Sequence, residues 1–285
     1  MKKNFLGLEE QYCKESSSKI VILPVPFDKT TTYIKGSDEG PKAILEASEN
    51  LELYDIQTDK ELYKLGIHTT PEKIYPSSKK MLKHLYEDVL YYLEKDKLVV
   101  TIGGEHSISY APIKAHLDFF KKPISILHFD AHSDFRPSYE NNPDSHACVM
   151  YKTSKLPLVE NIISIGIRSS DIDEQKYLNK KNIFYANDIH NSSSWMDKAI
   201  SGLTDTVYIS FDLDVFDSSV MPSTGTPEPG GLFWHQVDNF LFKLSKTKKI
   251  IGFDVVELCP IKNFIAPDFL AAKLIYKMLN YAFEN

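Results

Sequence analysis

Six short runs of β-branched and aliphatic residues punctuate the chain: KIVILPV (19–25), KLVVTIG (97–103), ISILHFD (124–130), NIISIGIR (161–168), DTVYISFD (205–212) and KIIGFDVV (249–256). A strand with one wet face alternates apolar and polar residues. These runs are apolar almost throughout, as strands covered on both faces of a parallel sheet should be. Segments of helical period separate them. In 77–96, Met81, Leu82, Leu85, Val89, Leu90 and Leu93 recur three and four apart, which gathers them on one helix face. Leu270, Ala271, Leu274, Ile275, Met278 and Leu279 do the same near the C-terminus, after a Pro267 suited to a first turn. The alternation predicts an α/β fold with helices on both faces of a mainly parallel sheet. No linker, repeat or low-complexity tract interrupts it, so residues 1–285 are expected to form one domain.

Charge and cysteine usage narrow the function. The balance of 33 Lys+Arg against 39 Asp+Glu gives a net charge of −6, and the basic pairs are scattered. That argues against phosphate-based binding of nucleic acid and suits a cationic small molecule or metal ions. No apolar run approaches the roughly 20 residues that span a bilayer. The first 18 residues turn acidic before any signal-type apolar core. Cys13, Cys148 and Cys259 are odd in number and form no CxxC pair, which predicts free thiols in a reducing cytoplasm.

In open parallel sheets ligands bind beyond the carboxyl ends of strands, and three strand ends carry chemistry. LVVTIGGEHS runs into Gly103 and Gly104, then Glu105, His106 and Ser107; paired glycines permit a tight turn or a close backbone approach. Neither GxGxxG nor GxxxxGK[ST] is present, so this is no phosphate loop. ISILHFDAHSDF ends in Asp130, His132 and Asp134, whose i, i+2, i+4 spacing lets all three converge on one side of an extended chain. Unpaired carboxylates buried together would cost several kcal/mol, a cost that a cation removes. TVYISFDLDVFD places Asp212 and Asp214 in the same alternation; Asp217 follows, equally able to cap a turn. Two histidines and four carboxylates match two divalent cations. Without a thiolate the set favours manganese over zinc on hardness, although affinity alone excludes neither zinc, iron, cobalt nor nickel. Two metals roughly 3.5–4 Å apart can bridge a water and turn it into a hydroxide nucleophile near neutral pH.

At these residues the sequence closely resembles the ureohydrolase family of arginases and agmatinases, which cleave guanidino compounds to urea. GGEHS, DAHSD, SFDLD, MPSTGTPEPGGL and GFDVVELCP carry the resemblance, and GSDEGPKAILEASENLELYD (36–55) extends it towards the N-terminus. The resemblance implies an arginase-type three-layer α/β/α sandwich around a mainly parallel eight-stranded sheet. It makes His106, Asp130, His132, Asp134, Asp212 and Asp214 ligands of two Mn²⁺ per subunit with a bridging water or hydroxide. His146, in SHACVMY, matches the active-site histidine that shuttles protons or bonds the substrate; Glu257 matches the glutamate that grips the guanidinium. Asp134 doubles as proton donor to the departing amine.

RPSYENNPDSHACVM and GTPEPGGL resemble agmatinase more than arginase, and Glu228 adds negative charge near the mouth. The expected reaction is therefore agmatine to putrescine and urea. Arginine, guanidinobutyrate or an aminopropyl-agmatine are the alternatives within the family, and a metal-binding pseudoenzyme lies outside it. Homo-oligomers, trimeric or hexameric, are implied. Asp38 and Tyr151 stand where many members carry arginine. Asp254 and His128 are expected to be structural, and Cys148 and Cys259 to be packing residues. His68, His84, His116, His190 and His235 have no motif around them and are expected at the surface or in structural roles.

Overall fold

A computed structural model describes residues 4–190 and 192–284 of the chain. These hold eight strands: β1 (Ile20–Val25), β2 (Ile67–Thr69), β3 (Leu98–Gly103), β4 (Ile124–Phe129), β5 (Val159–Ile167), β6 (Ile183–Tyr185), β7 (Thr206–Asp212) and β8 (Lys249–Val256). The six apolar runs are all strands, within two residues of their expected bounds. The two that periodicity missed, β2 and β6, are three-residue edge strands, too short to show any pattern. All eight form one sheet in the order β2-β1-β3-β8-β7-β4-β5-β6, and every neighbouring pair is parallel. The eight-stranded parallel sheet matches what the resemblance implies.

Alternate residues of each strand enter opposite layers. Along β1, Ile20 and Ile22 join the core beneath α1 (Gly40–Ser48) and α8 (Ala266–Ala282), whereas Val21 and Leu23 join the one beneath α2 (Ser78–Leu93). Both sets are apolar because both faces are covered. Each such side chain, buried fully, contributes at most about 1.5–3 kcal/mol. Ser77 caps α2 by accepting the Lys80 N–H, and Met81, Leu85, Val89 and Leu93 form its buried stripe. Pro267 falls in the first turn of α8. None of the described helices is long and apolar enough to cross a membrane.

The topology sets the position of the site. The last strand in sequence, β8, lies in the middle of the sheet, between β3 and β7. Pairing of Phe129 with Phe211 and of Asp212 with Val256 brings Asp130, Asp212 and Glu257 out at neighbouring strand ends.

Candidate active site

Four adjacent strands, β3, β8, β7 and β4, supply the candidate residues from their carboxyl ends. Beyond β3 the chain passes close to the backbone of Phe27. A Cβ on Gly104 would lie 2.0 Å from the Phe27 carbonyl oxygen, so the glycine pair here serves close backbone approach. His106 then opens a short 3-10 turn, His106–Ser109.

His106 is buried, and its Nδ1 faces three carboxylates: Asp130 Oδ2 at 3.1 Å, Asp134 Oδ2 at 3.1 Å and Asp212 Oδ2 at 3.3 Å. None of them meets hydrogen-bond geometry, and Nδ1 is left without a hydrogen-bond partner. The opposite ring nitrogen is engaged elsewhere. Nε2 lies 3.0 Å from Ser210 Oγ, and Ser210 donates to Asp254 Oδ1 at 2.9 Å. Having committed its proton to Asp254, the Ser210 hydroxyl accepts from Nε2–H. Nδ1 is thus the ring nitrogen left to face the three carboxylate oxygens. One nitrogen and three carboxylate oxygens brought together could hold a cation, with the outer hydrogen bonds orienting the ring.

A second group adjoins it. His132 Nδ1 lies 2.8 Å from Asp214 Oδ2 and 3.5 Å from Asp130 Oδ1, so Asp130 belongs to both. Backbone amides hold the acids in place: Ala131 N–H donates to Asp214 Oδ1 at 2.9 Å, and Asp214 N–H to Asp212 Oδ1 at 2.8 Å. These residues fit the donor set for two divalent cations.

The electrostatics are those of crowded acids. Burial opposes charge on His106, but contact with Asp130, Asp134 and Asp212 outweighs it and raises its pKa well above the usual value. Burial likewise opposes charge on His132, and Asp214 with Asp130 pushes it up to about 12. Burial, with the charges of Asp214 and Asp130, raises Asp212 far above an ordinary carboxyl. Asp130 goes the other way: burial is overcome by His128, His106 and His132, which hold it well below the carboxylate range. Protons thus balance charge that divalent cations would balance more fully.

A cavity of about 300 Å³ opens over these residues, lined by His106, His132, Asp134, Asp212, Asp214, His146 and Glu257. Asp130 lies beneath it, fully buried. Glu257 is held with Oε1 accepting the His106 N–H at 2.6 Å. Burial pushes its pKa well up, opposed by that bond and reinforced by Glu105 and Asp214. Asp134 and Glu257 adopt φ of 55° and 66°, left-handed backbone rare for non-glycine residues and concentrated at functional sites.

The remaining expectations sort cleanly. Asp217 caps its turn, accepting from Ser219, Gly230 and Gly231 N–H groups. Asp254 is structural, accepting from Ser109, Tyr208 and Ser210. His128 is packed in β4 as expected, and it also bonds Asp130 Oδ2 at 2.8 Å, a contact with a candidate ligand that its strand position did not reveal. His116 and His68 are buried and His84, His190 and His235 exposed. Cys148 and Cys259 are buried, and burial pushes the Cys148 thiol up to about 12, which suits packing. Glu228 stands 3.8 Å from His132 Nε2. Asp38 is exposed and Tyr151 packs edge-on against Tyr177, so neither joins the cluster.

Two features escaped sequence reasoning. The guanidinium of Arg168, just past β5, donates to the carbonyls of Asp214 at 2.7 Å, Glu228 at 2.8 Å and Pro229 at 3.0 Å, bracing both loops at the mouth. Glu174 accepts from the Ser133 hydroxyl at 2.7 Å and the Phe135 N–H at 3.1 Å, fixing the segment that carries Asp134. Only the arginine directly after an apolar run hinted at the first.

Comparison with known proteins identifies the family. The Arginase family model matches residues 18–280. N(1)-aminopropylagmatine ureohydrolase of Synechocystis sp. is 35% identical, the match covering 99% of this chain and 95% of that one. Agmatinase of Pyrococcus horikoshii is 34% identical over 91% and 90%. The crystal structure of agmatine ureohydrolase of Thermoplasma volcanium superposes with a TM-score of 0.87 at 29% identity, covering 100% of this chain and 95% of that one. The chain belongs to the arginase family.

Proposed function

We propose that this arginase-family ureohydrolase cleaves the guanidino group of a linear cationic amine, agmatine in the first instance, to give urea and putrescine. The observation that carries the reading is the unpartnered His106 Nδ1 among Asp130, Asp134 and Asp212, with Glu257 in the same cavity. His106, Asp130, His132, Asp134, Asp212 and Asp214 are the residues that would hold two metal ions, manganese by preference. Such ions supply Lewis acidity and make water acidic enough to serve as nucleophile at neutral pH.

The protein's own groups do the rest. Glu257 receives the planar guanidinium through two charge-assisted hydrogen bonds. Its burial, which disfavours an isolated carboxylate, favours it once a cation arrives. Asp134 passes a proton to the departing amine, and His146 exchanges protons with solvent. The acidic cavity repels a substrate carboxylate, which favours agmatine over arginine. N(1)-aminopropylagmatine is the second reading, because several relatives at 35–36% identity bear that activity's name. We place the reaction in the cytoplasm, with residues 1–285 as one catalytic unit in a homo-oligomer; the buried thiols of Cys148 and Cys259 support a reducing setting.

Urea release by manganese-loaded protein from agmatine, N(1)-aminopropylagmatine, guanidinobutyrate and arginine tests the reading. Turnover of agmatine at the highest kcat/KM is expected. Preference for arginine or guanidinobutyrate would overturn the substrate assignment, and no urea from any of the four would overturn the reaction.

A further inference from the structure

His146 rests on two groups that the reaction scheme does not use. Its Nδ1 lies 3.2 Å from Thr30 Oγ1, and its backbone N–H donates to the same oxygen at 3.0 Å. Thr30 Oγ1 in turn donates to Glu105 Oε1 at 2.7 Å. Glu105 is fully buried and held from all sides. Its Oε2 accepts the Lys29 and Thr30 N–H groups, each at 2.6 Å, and its Oε1 also accepts the Ser107 hydroxyl.

A hydroxyl has one proton and two lone pairs. Thr30 commits the proton to the Glu105 carboxylate, where the bond is charge-assisted. One of its lone pairs takes the His146 backbone N–H, and the other faces Nδ1. A bare Nδ1 would set lone pair against lone pair at 3.2 Å, so this nitrogen carries the ring hydrogen. Ser145 Oγ lies 3.4 Å from the same nitrogen. Its hydroxyl is free to turn, so it serves as a second, more distant acceptor and does not change the result.

We propose that Glu105 and Thr30 are positioning residues that hold His146 as the Nδ1–H tautomer. Nε2 is then the basic nitrogen of a ring that lines the same cavity as Asp134 and Glu257. This is the logic by which an acceptor on one ring nitrogen sets the proton chemistry of the other. The GGEHS strand end thus has two uses, His106 towards the acids and Glu105 towards the histidine across the cavity. The inference rests on the reading of His146 as a proton-handling residue only for its effect on rate; the tautomer itself is independent of that reading.

The test is ring ¹⁵N–¹H correlation spectroscopy of the full chain labelled with ¹⁵N-histidine and loaded with diamagnetic zinc. The His146 signals are identified by their loss in His146→Asn. Wild type should show protonated Nδ1. Thr30→Val, which removes the hydroxyl at nearly constant volume, should shift His146 towards protonated Nε2, and Thr30→Ser should restore the wild-type pattern. Glu105→Gln should invert the chain: its amide N–H₂ donates to Thr30 Oγ1, the Thr30 proton turns to Nδ1, and Nε2 becomes the protonated nitrogen. In the manganese enzyme Thr30→Val should lower kcat by about tenfold or more, out of the roughly 10²–10⁴ that a placed proton-transfer group supplies, with KM little changed. A wild-type ring protonated at Nε2, or one still protonated at Nδ1 in both Thr30→Val and Glu105→Gln, would overturn the proposal. Full activity of His146→Asn would instead overturn the role of His146 and leave the tautomer result standing.

Discussion

Replacing Gly104 with alanine separates what the strand-end turn does for stability from what it does for the candidate metal residues. The new Cβ would stand 2.0 Å from the Phe27 carbonyl oxygen and 2.8 Å from the same residue's carbon and nitrogen. Real contacts stay beyond 3.0 Å, so the two backbone segments must part by about 1 Å, and no flexible side-chain tip is there to yield. Overpacking of this kind costs about 1–3 kcal/mol, a few degrees of melting temperature for a chain of this size. The larger effect falls on His106, two residues on. Metal–ligand distances tolerate shifts of about 0.2 Å, and a 1 Å misplacement of catalytic groups costs on the order of 10²-fold in rate. Gly230→Ala is the control. It has φ of +81° but open space around the new Cβ, so it should cost a comparable ~1–2 kcal/mol through left-handed backbone alone. Calorimetry, metal content after dialysis and urea release should show both variants destabilised and only Gly104→Ala depleted of metal. Gly104→Ala with wild-type metal content and turnover would refute the argument from close approach.

Asp130→Asn and Asp212→Asn should each lose bound metal and activity together; full activity in a metal-free sample, by elemental analysis, would contradict the reading of the site. Asp254→Ala removes the acceptor that orients Ser210 and hence His106; metal affinity should fall about 10–100-fold in a competition titration, as for other groups that orient a ligand. Metal binding should also release protons. His106 and His132 hold theirs well above neutrality, His132 up to about 12, and ligation requires the neutral ring. Affinity must therefore weaken as pH falls, and titration calorimetry in buffers of different ionisation enthalpy should show net proton release near pH 7; heats independent of buffer would refute this.

The legibility of the molecule follows from physical range. Strands β1, β3, β4, β5, β7 and β8 were readable because burial on both faces writes an unbroken apolar run, whereas the three residues of β2 or β6 leave no pattern. Asp130, His132 and Asp134 were readable because i, i+2 spacing at a strand end is local geometry. Arg168 was not, because its partners are backbone carbonyls of Asp214, Glu228 and Pro229, and carbonyls have no sequence signature. Thr30 and Glu105 meet across 75 residues of chain, a pairing that only the folded backbone defines. His128 shows a third limit: its place inside an apolar run indicated packing, and nothing local indicated that Asp130 would curl back to meet it.

The central position of β8 bears on how the protein is made. A ribosome delivers β1 to β7 first, and these can pair only as two separate half-sheets, β2-β1-β3 and β7-β4-β5-β6. Until Lys249–Val256 emerges, each half exposes an unpaired edge, with the hazard of misassociation that open edges carry. His106 is on one half and Asp130, Asp134 and Asp212 are on the other, so a growing chain cannot close the cluster around Nδ1. The final strand works as a keystone. Insertion of the keystone joins the halves, brings His106 to its carboxylates and supplies Glu257 in one event.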